Sequence, residues 1–322
     1  MTEPSIPPQV LPVVARAPGK CILFGEHAVV RGQPEVLLAI DVYCQVGIRP
    51  SPEWRLNGHA DPVAGHPYLQ AAIRELWSNG TPLDVSVVSR IPKASGMGSS
   101  AAFVAGLVAA MSAAQGGVDR AKLAQQVFAV ERNAQGVGSP GDTSAAVAGG
   151  YLTLNTEVEA VGDPLWTVTA EHERWTIRRV ADPGWVWVVA YSGLPKATGP
   201  KVRAVAERFA SAEGPELLQR FSEVATAGLR AMASEDGPET GRLLDENQEL
   251  LRAVGVSHPR LEALLDAARP AALGAKVTGA GGGGSIVALP RPGQETDLVR
   301  RLARAGAVPF ATGPAARGVE LV

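Results

Sequence analysis

The sequence predicts two medium-sized domains built from both strands and helices, and three observations lead there. At 322 residues, one large domain or two medium ones could each bury a full core. Up to about residue 185, strand-like apolar runs recur between helical patterns; beyond it, four helix candidates follow one another closely. Each half also carries a glycine-bearing loop that follows a strand-like run, within 91–102 in the first and within 275–289 in the second. The division that follows is a loose tail over 1–12, a first domain over 13–185 and a second over 186–322, its boundary placed to within about ten residues.

Composition removes several function classes. The formal net charge is −2 and the basic residues are scattered, so neither a nucleic acid nor an anionic membrane is an expected partner. No apolar stretch is long enough to span a bilayer, and the start, with Glu3 and several early prolines, lacks the pattern of a signal peptide. A soluble cytoplasmic protein is expected. Cys21 and Cys44 sit in apolar strand-like runs and read as reduced core residues. The five histidines form no paired metal motif, which leaves zinc chemistry unsupported.

In chain order, Val13 to Gly32 reads as strand-like segments interrupted by Pro18-Gly19 and Gly25, with Lys20, Glu26 and His27 as polar exceptions. A buried charge is costly unless paired, so these need compensation. Gly32 to Pro50 continues as turn plus strand, Pro50 to Pro67 as a loop-rich hairpin region, and His66 to Asn79 as an amphipathic helix. Leu83 to Ile91 alternates like a strand and Ser99 to Ala114 is an unbroken Ala-rich helix. Asp119 to Ala134 forms the next helix, Asp142 to Ala148 a short one, and Gly150 to Leu154 a strand. Trp166 to Ala190 supplies two strands separated by Asp182-Pro183-Gly184. The helices of the second half are Val202–Phe209, Glu216–Met232, Pro238–Val254 and Pro259–Ala268.

The loop Ile91 to Ala102 joins a strand to a helix start and reads as a phosphate cradle. Gly96 and Gly98 let the backbone bend, and the free N–H groups of Ser99, Ser100 and Ala101 with the positive end of the helix dipole favour an anion. A bland alternative is that the serines merely cap a buried helix. A second alternative is the dinucleotide fingerprint, since Gly96-x-Gly98-x-x-Ala101 fits its spacing with Asp119 as ribose acid. Asp119, however, opens a periodic run and looks like a helix N-cap rather than a strand end.

Two acids stand out further on. Glu131 shares the apolar stripe of its helix with Val127 and Phe128, so it faces inward, either in a buried ion pair or as a ligand for a hard cation such as Mg²⁺. Asp142 lies eleven residues later across a glycine-rich loop, where it either caps a short helix or converges with Glu131 on one site as a proton acceptor. The run from Gly279 to Gly284 lies between two strand-like segments, which a dinucleotide turn does not allow; it reads either as a flexible hairpin or, because so many glycines are entropically costly, as a backbone in close approach to a ligand. The only Gly-Lys pair, Gly19-Lys20, precedes Cys21, so there is no Walker A motif.

Taken together these are parts for phosphoryl transfer. The chain resembles the GHMP superfamily of galactokinase, homoserine kinase, mevalonate kinase and phosphomevalonate kinase, and within it the mevalonate kinase family. Ala17 to Gly32, with its Gly-Glu-His-Ala-Val-Val core, resembles the first motif of that family, Ile91 to Ala102 the second and Lys276 to Gly284 the third. Ser192 to Thr198 and Asp245 to Val256 resemble the segments that join them. The segment Gly138-Ser-Pro-Gly-Asp142-Thr is nearer the archaeal form than the animal one, and Phe24 stands where some members carry His.

The resemblance implies an α+β fold, with an N-terminal ribosomal-protein-S5-domain-2-like mixed-sheet domain, a C-terminal ferredoxin-like domain and the active site in the cleft between them. It implies ATP and Mg²⁺ as cofactors and mevalonate as substrate, phosphorylated on its 5-hydroxyl. Asp142 would be the catalytic base and Lys20 its charged neighbour; Ser100 and Glu131 would hold the metal. Ala94, Ser95, Gly96, Met97, Gly98, Ser99 and Ser100 would wrap the ATP phosphates, with Ser89 near the nucleoside. Glu26, His27 and Thr198 would lie by the substrate and Gly281 by the transferred phosphate. Phosphomevalonate kinase and mevalonate 3-kinase are the rivals within the superfamily; a dinucleotide oxidoreductase and a nucleotide sensor without turnover are the rivals outside it. Oligomeric state is left open, with a homodimer among the options.

Overall fold

The computed structural model describes residues 6–7, 9–60, 65–78, 80–136, 138–156, 158, 162, 164–196 and 198–322, the side chains of 198–203 excepted. Strand β1 (Val13–Phe24) runs through Pro18-Gly19 with only a register shift there, and pairs antiparallel with β2 (Glu35–Pro50). The Pro-Gly pair, read from sequence as an interruption, is thus accommodated inside one strand as an irregularity. Two short strands, β3 (Arg55–Leu56) and β4 (His59–Ala60), lead to α1 (Pro67–Leu76) and β5 (Leu83–Ser89). Helices α2 (Ser99–Ala114), α3 (Arg120–Gln135) and α4 (Gly141–Ala148) follow, then β6 (Tyr151–Leu154), β7 (Pro164–Ala170) and β8 (Glu173–Val180).

The second half continues with β9 (Trp187–Tyr191), α5 (Thr198–Phe209), α6 (Gly214–Ala233), α7 (Gly237–Ala253) and α8 (Pro259–Ala268). It closes with β10 (Ala272–Thr278), β11 (Ser285–Pro290), α9 (Glu295–Arg304), β12 (Val308–Thr312) and β13 (Glu320–Leu321).

Two sheets result. The larger has the order β4-β3-β5-β2-β6-β8-β7, with β1 pairing β2 and β13 off that path, and it is mixed because β3 runs parallel to β5. The smaller has the order β10-β11-β9-β12, all antiparallel. In chain order that is strand, helices, strand, strand, helix, strand with the first strand in the middle, a ferredoxin-like layout. The chain changes sheets between β8 and β9, and β13 returns to the larger sheet. Within the segment expected to be a loose tail, Ile6 is buried and exchanges backbone hydrogen bonds with Val118.

Residues 101–113 of α2 are all buried, which is why its apolar residues show no single stripe; it packs across β1 and β2. Between β7 and β8 the turn is Glu171-His172, with Glu171 at φ 50°, so the region read as two strands holds three. Neither residue carries the usual chemistry of a tight turn, and composition therefore hides it. The sheets meet through Trp187 of β9, whose Nε1 donates to Tyr151 Oη of β6 at 2.8 Å. Cys21 and Cys44 are buried and unpaired. No described helix is long and apolar enough to cross a membrane.

Candidate active site

The cradle loop stands where the two sheets approach each other. Gly98, at φ 71°, is the N-cap of α2 and offers no side-chain cap, so Ser99 and Ser100 lie inside the helix and leave its first amides to other partners. That disposes of the capping alternative for the serines. Asp119 is the N-cap of α3, its Oδ1 accepting from Lys122 N at 2.8 Å, and it is not placed as a ribose acid.

The second glycine loop packs directly onto the first. A Cβ on Gly96 would come within 2.9 Å of Thr278 O, and one on Gly284 within 2.9 Å of Ser95 O. Ser285 Oγ donates to Ser95 O at 2.8 Å. Gly281 sits at φ 74°, where a Cβ would meet Val256 O at 2.3 Å. Both the backbone and the space forbid a side chain there. Gly281→Ala is expected to destabilise the protein by about 1–3 kcal/mol in urea unfolding; an unchanged midpoint would mean the loop gives way freely.

Beneath the cradle lies Lys20, 3% exposed, its backbone N donating to Met97 O at 3.0 Å and its stem against Gly98. Its Nζ meets Asp142 Oδ1 at 2.9 Å. Burial works against the Lys20 ammonium, yet the charge and hydrogen bond of Asp142 outweigh it and hold the pKa above the usual lysine value. Asp142 lies in the first turn of α4, and the N-cap position belongs to Pro140. Its side chain keeps about a third of its surface open, 35%.

Glu131, 8% exposed, accepts from Ser100 Oγ and from Gln135 Nε2, both at 3.0 Å. Burial, with the Asp142 charge second, pushes its pKa up to about 7, against the pull of Ser100, Lys20 and Lys196. Lys196, half-buried on the loop after β9, has its own pKa lowered by burial and by Lys20. Two acids and two lysines therefore converge below the cradle, from β1, α3, α4 and the β9 loop.

The first-motif residues are arranged differently. Glu26 is 1% exposed and forms an ion pair with Lys276, itself fully buried on β10. His27, at φ 64°, bonds to the Ala280 backbone; burial lowers its pKa to about 4, so the ring is neutral near pH 7. Its buried Nε2 has no hydrogen-bond partner among the described residues. Ser89 ends β5, its Oγ accepting from Ile91 N at 3.2 Å. The side chain of Thr198 lies outside the described residues. Sequence reasoning gave no role to Lys196, Lys276 or Glu35, the last a buried acid beside Gly141. The signal for Glu35 was present: an acid directly after Pro34 at the head of the apolar run Val36 to Ile40.

Two family models match the chain, the GHMP kinases N terminal domain over residues 67–150 and the GHMP kinases C terminal over 229–308. A mevalonate kinase of Methanothermobacter thermautotrophicus is 34% identical over 90% of this chain and 94% of its own. The chain belongs to the GHMP kinase family. This kinase is also 32% identical to a mevalonate kinase of Archaeoglobus fulgidus, over 86% of this chain and 92% of that one. Among solved structures, the fold is similar to L. major mevalonate kinase in complex with R-mevalonate, at TM-score 0.75 and 23% identity, covering 98% of this chain and all of that one. The kinase thus has two glycine loops closing on one charged cluster.

Proposed function

We propose that this kinase transfers the γ-phosphoryl group of ATP to the 5-hydroxyl of (R)-mevalonate. The observation that carries the mechanism is the Lys20–Asp142 pair at 2.9 Å, one partner buried beneath the cradle and the other open to an acceptor. The named relatives supply the acceptor class.

In this reading the backbone from Ala94 to Ser100 wraps the phosphates, with Ser89 near the nucleoside. Asp142 accepts the proton of the attacking hydroxyl, and Lys20 stabilises the oxygen that loses it. Lys196 faces the same cluster and adds positive charge where phosphate oxygens gather. The loop from Gly279 to Gly284, with Gly281 at its centre, closes over the transferred group, and Thr198 borders it. Glu26, locked to Lys276, acts by holding the loop that presents His27 to the substrate.

Ser100 and Glu131 fit a hard cation: two oxygen donors already 3.0 Å apart, and a carboxylate whose burial is not offset by a full ion pair. Mg²⁺ held there would neutralise phosphate charge. Removing the Glu131 carboxylate as Glu131→Gln is expected to raise the Mg²⁺ concentration for half-maximal rate by about tenfold or more. An unaltered Mg²⁺ dependence removes the assignment.

The reading is tested by a coupled ADP-release assay with Mg·ATP and (R)-mevalonate, the product identified by phosphorus NMR. Mevalonate 5-phosphate is expected. A 3-phosphate, or turnover only with phosphomevalonate, would keep the cradle and overturn the acceptor.

A further inference from the structure

Glu35 heads β2, its carbonyl accepting from Thr153 Oγ1 at 2.8 Å. Its side chain turns inward, 2% exposed, and Oε2 is hidden from water with no hydrogen-bond partner among the described residues. An oxygen so placed is costly, and a protein retains it where it has work to do. It lies against the start of α4. A Cβ on Gly141 would come within 2.3 Å of Oε2 and 3.3 Å of Cδ. Gly141 does not have a positive φ, so glycine is required there by space and not by backbone. The next residue is Asp142.

Among the described residues, charge acts on Glu35 from Asp142 on α4, Lys20 on β1, Glu26 on the loop after β1 and Lys276 on β10. Lys20 is already paired with Asp142 and Lys276 with Glu26, so among the described residues Glu35 has no ion-pair partner of its own. Burial, then the Asp142 charge, raises the Glu35 pKa well above the usual glutamate value. Both effects favour its neutral form.

We infer that Glu35 is a positioning residue for phosphoryl transfer: its carboxyl fills the space beside Gly141, fixes the first turn of α4 and so aims Asp142 at Lys20. The inference rests on the roles proposed above for that pair. Where Glu35 is ionised, a second carboxylate competes with Asp142 for the Lys20 ammonium, and turnover falls on the alkaline side.

Wild type, Glu35→Gln and Glu35→Ala are compared in steady-state turnover of Mg·ATP and (R)-mevalonate across pH, and in thermal melting over the same range. Glutamine keeps the shape and removes the titration. It is expected to keep kcat within about twofold at neutral pH and to lack the alkaline decline expected of wild type. Alanine empties the space and is expected to lower kcat about tenfold with KM for ATP unchanged.

The melting comparison does not depend on turnover. A group whose folded pKa is raised stabilises fully below its unfolded pKa, and that contribution is lost as pH rises through the folded value. Wild type should therefore lose melting temperature relative to Glu35→Gln as pH rises. An alkaline decline that survives in Glu35→Gln, or wild-type kcat in Glu35→Ala, overturns the positioning role alone. A wild type that does not turn over mevalonate overturns the functional reading, and the positioning role with it. Should Glu35→Ala fail to fold, the glutamine comparison decides.

Discussion

Asp142→Asn is expected to lower kcat by about 10²- to 10⁴-fold while KM for ATP changes by only a few-fold. The amide keeps the volume and the first turn of α4 but cannot take a proton from the acceptor hydroxyl. It also removes the charge that holds the Lys20 ammonium against burial, so Lys20 loses part of its ability to stay charged in a site that is 3% exposed. Both effects act on the chemical step, and neither touches the cradle amides that bind phosphate. Steady-state kinetics at saturating Mg²⁺, with melting curves to establish that the variant is folded, make the check. Near-normal turnover would remove Asp142 from the role of base.

How much of this was legible in the sequence depends on the range over which each interaction acts. The cradle was, because glycine at positive φ and a helix start are written in consecutive residues, and Gly96 and Gly98 adopt φ 84° and 71° as such a loop needs. The inward turn of Glu131 was legible from helical period alone, since Val127, Phe128 and Glu131 are buried together on α3. The convergence of Glu131 and Asp142 followed from the short loop between them. What period and spacing could not reveal is pairing across the fold. Lys276 is in a glycine-loop motif by sequence, yet its partner Glu26 lies 250 residues away in the chain, and the contact of Ile22 at the end of β1 with Thr278 at the end of β10 brings the two together. Glu35 escaped for the same reason: the apolar run that follows marks a strand, but whether an acid at its head is buried depends on α4 covering it. The Glu171-His172 turn was hidden because its chemistry is ordinary and its geometry is set by the strands it joins.

The larger effect on stability is expected from the buried pair that joins the sheets. Lys276 Nζ binds Glu26 and also donates to Val277 O at 2.8 Å and Ile22 O at 3.3 Å, while Thr278 Oγ1 accepts from Ile22 N at 2.8 Å. These bonds tie β10 to β1 at the level of the cradle. Burial draws both partners toward their neutral forms, and their mutual contact is the largest effect that opposes it. Lys276→Met leaves the Glu26 carboxylate with no cation at 1% exposure, and is expected to cost about 3–5 kcal/mol. Without Lys276 the folded pKa of Glu26 rises further. Its protonated form then stabilises at low pH, and that contribution is lost as pH rises through the folded value. The melting-temperature gap between wild type and Lys276→Met should accordingly be narrow in the carboxylate range and wide at neutral pH. The double variant Glu26→Gln/Lys276→Met removes the stranded charge and is expected to recover a large part of the loss, since a charge left alone costs more than a pair replaced. If the double variant were as unstable as the single one and the gap did not vary with pH, the pair would be holding the sheets by packing and backbone hydrogen bonds rather than by charge.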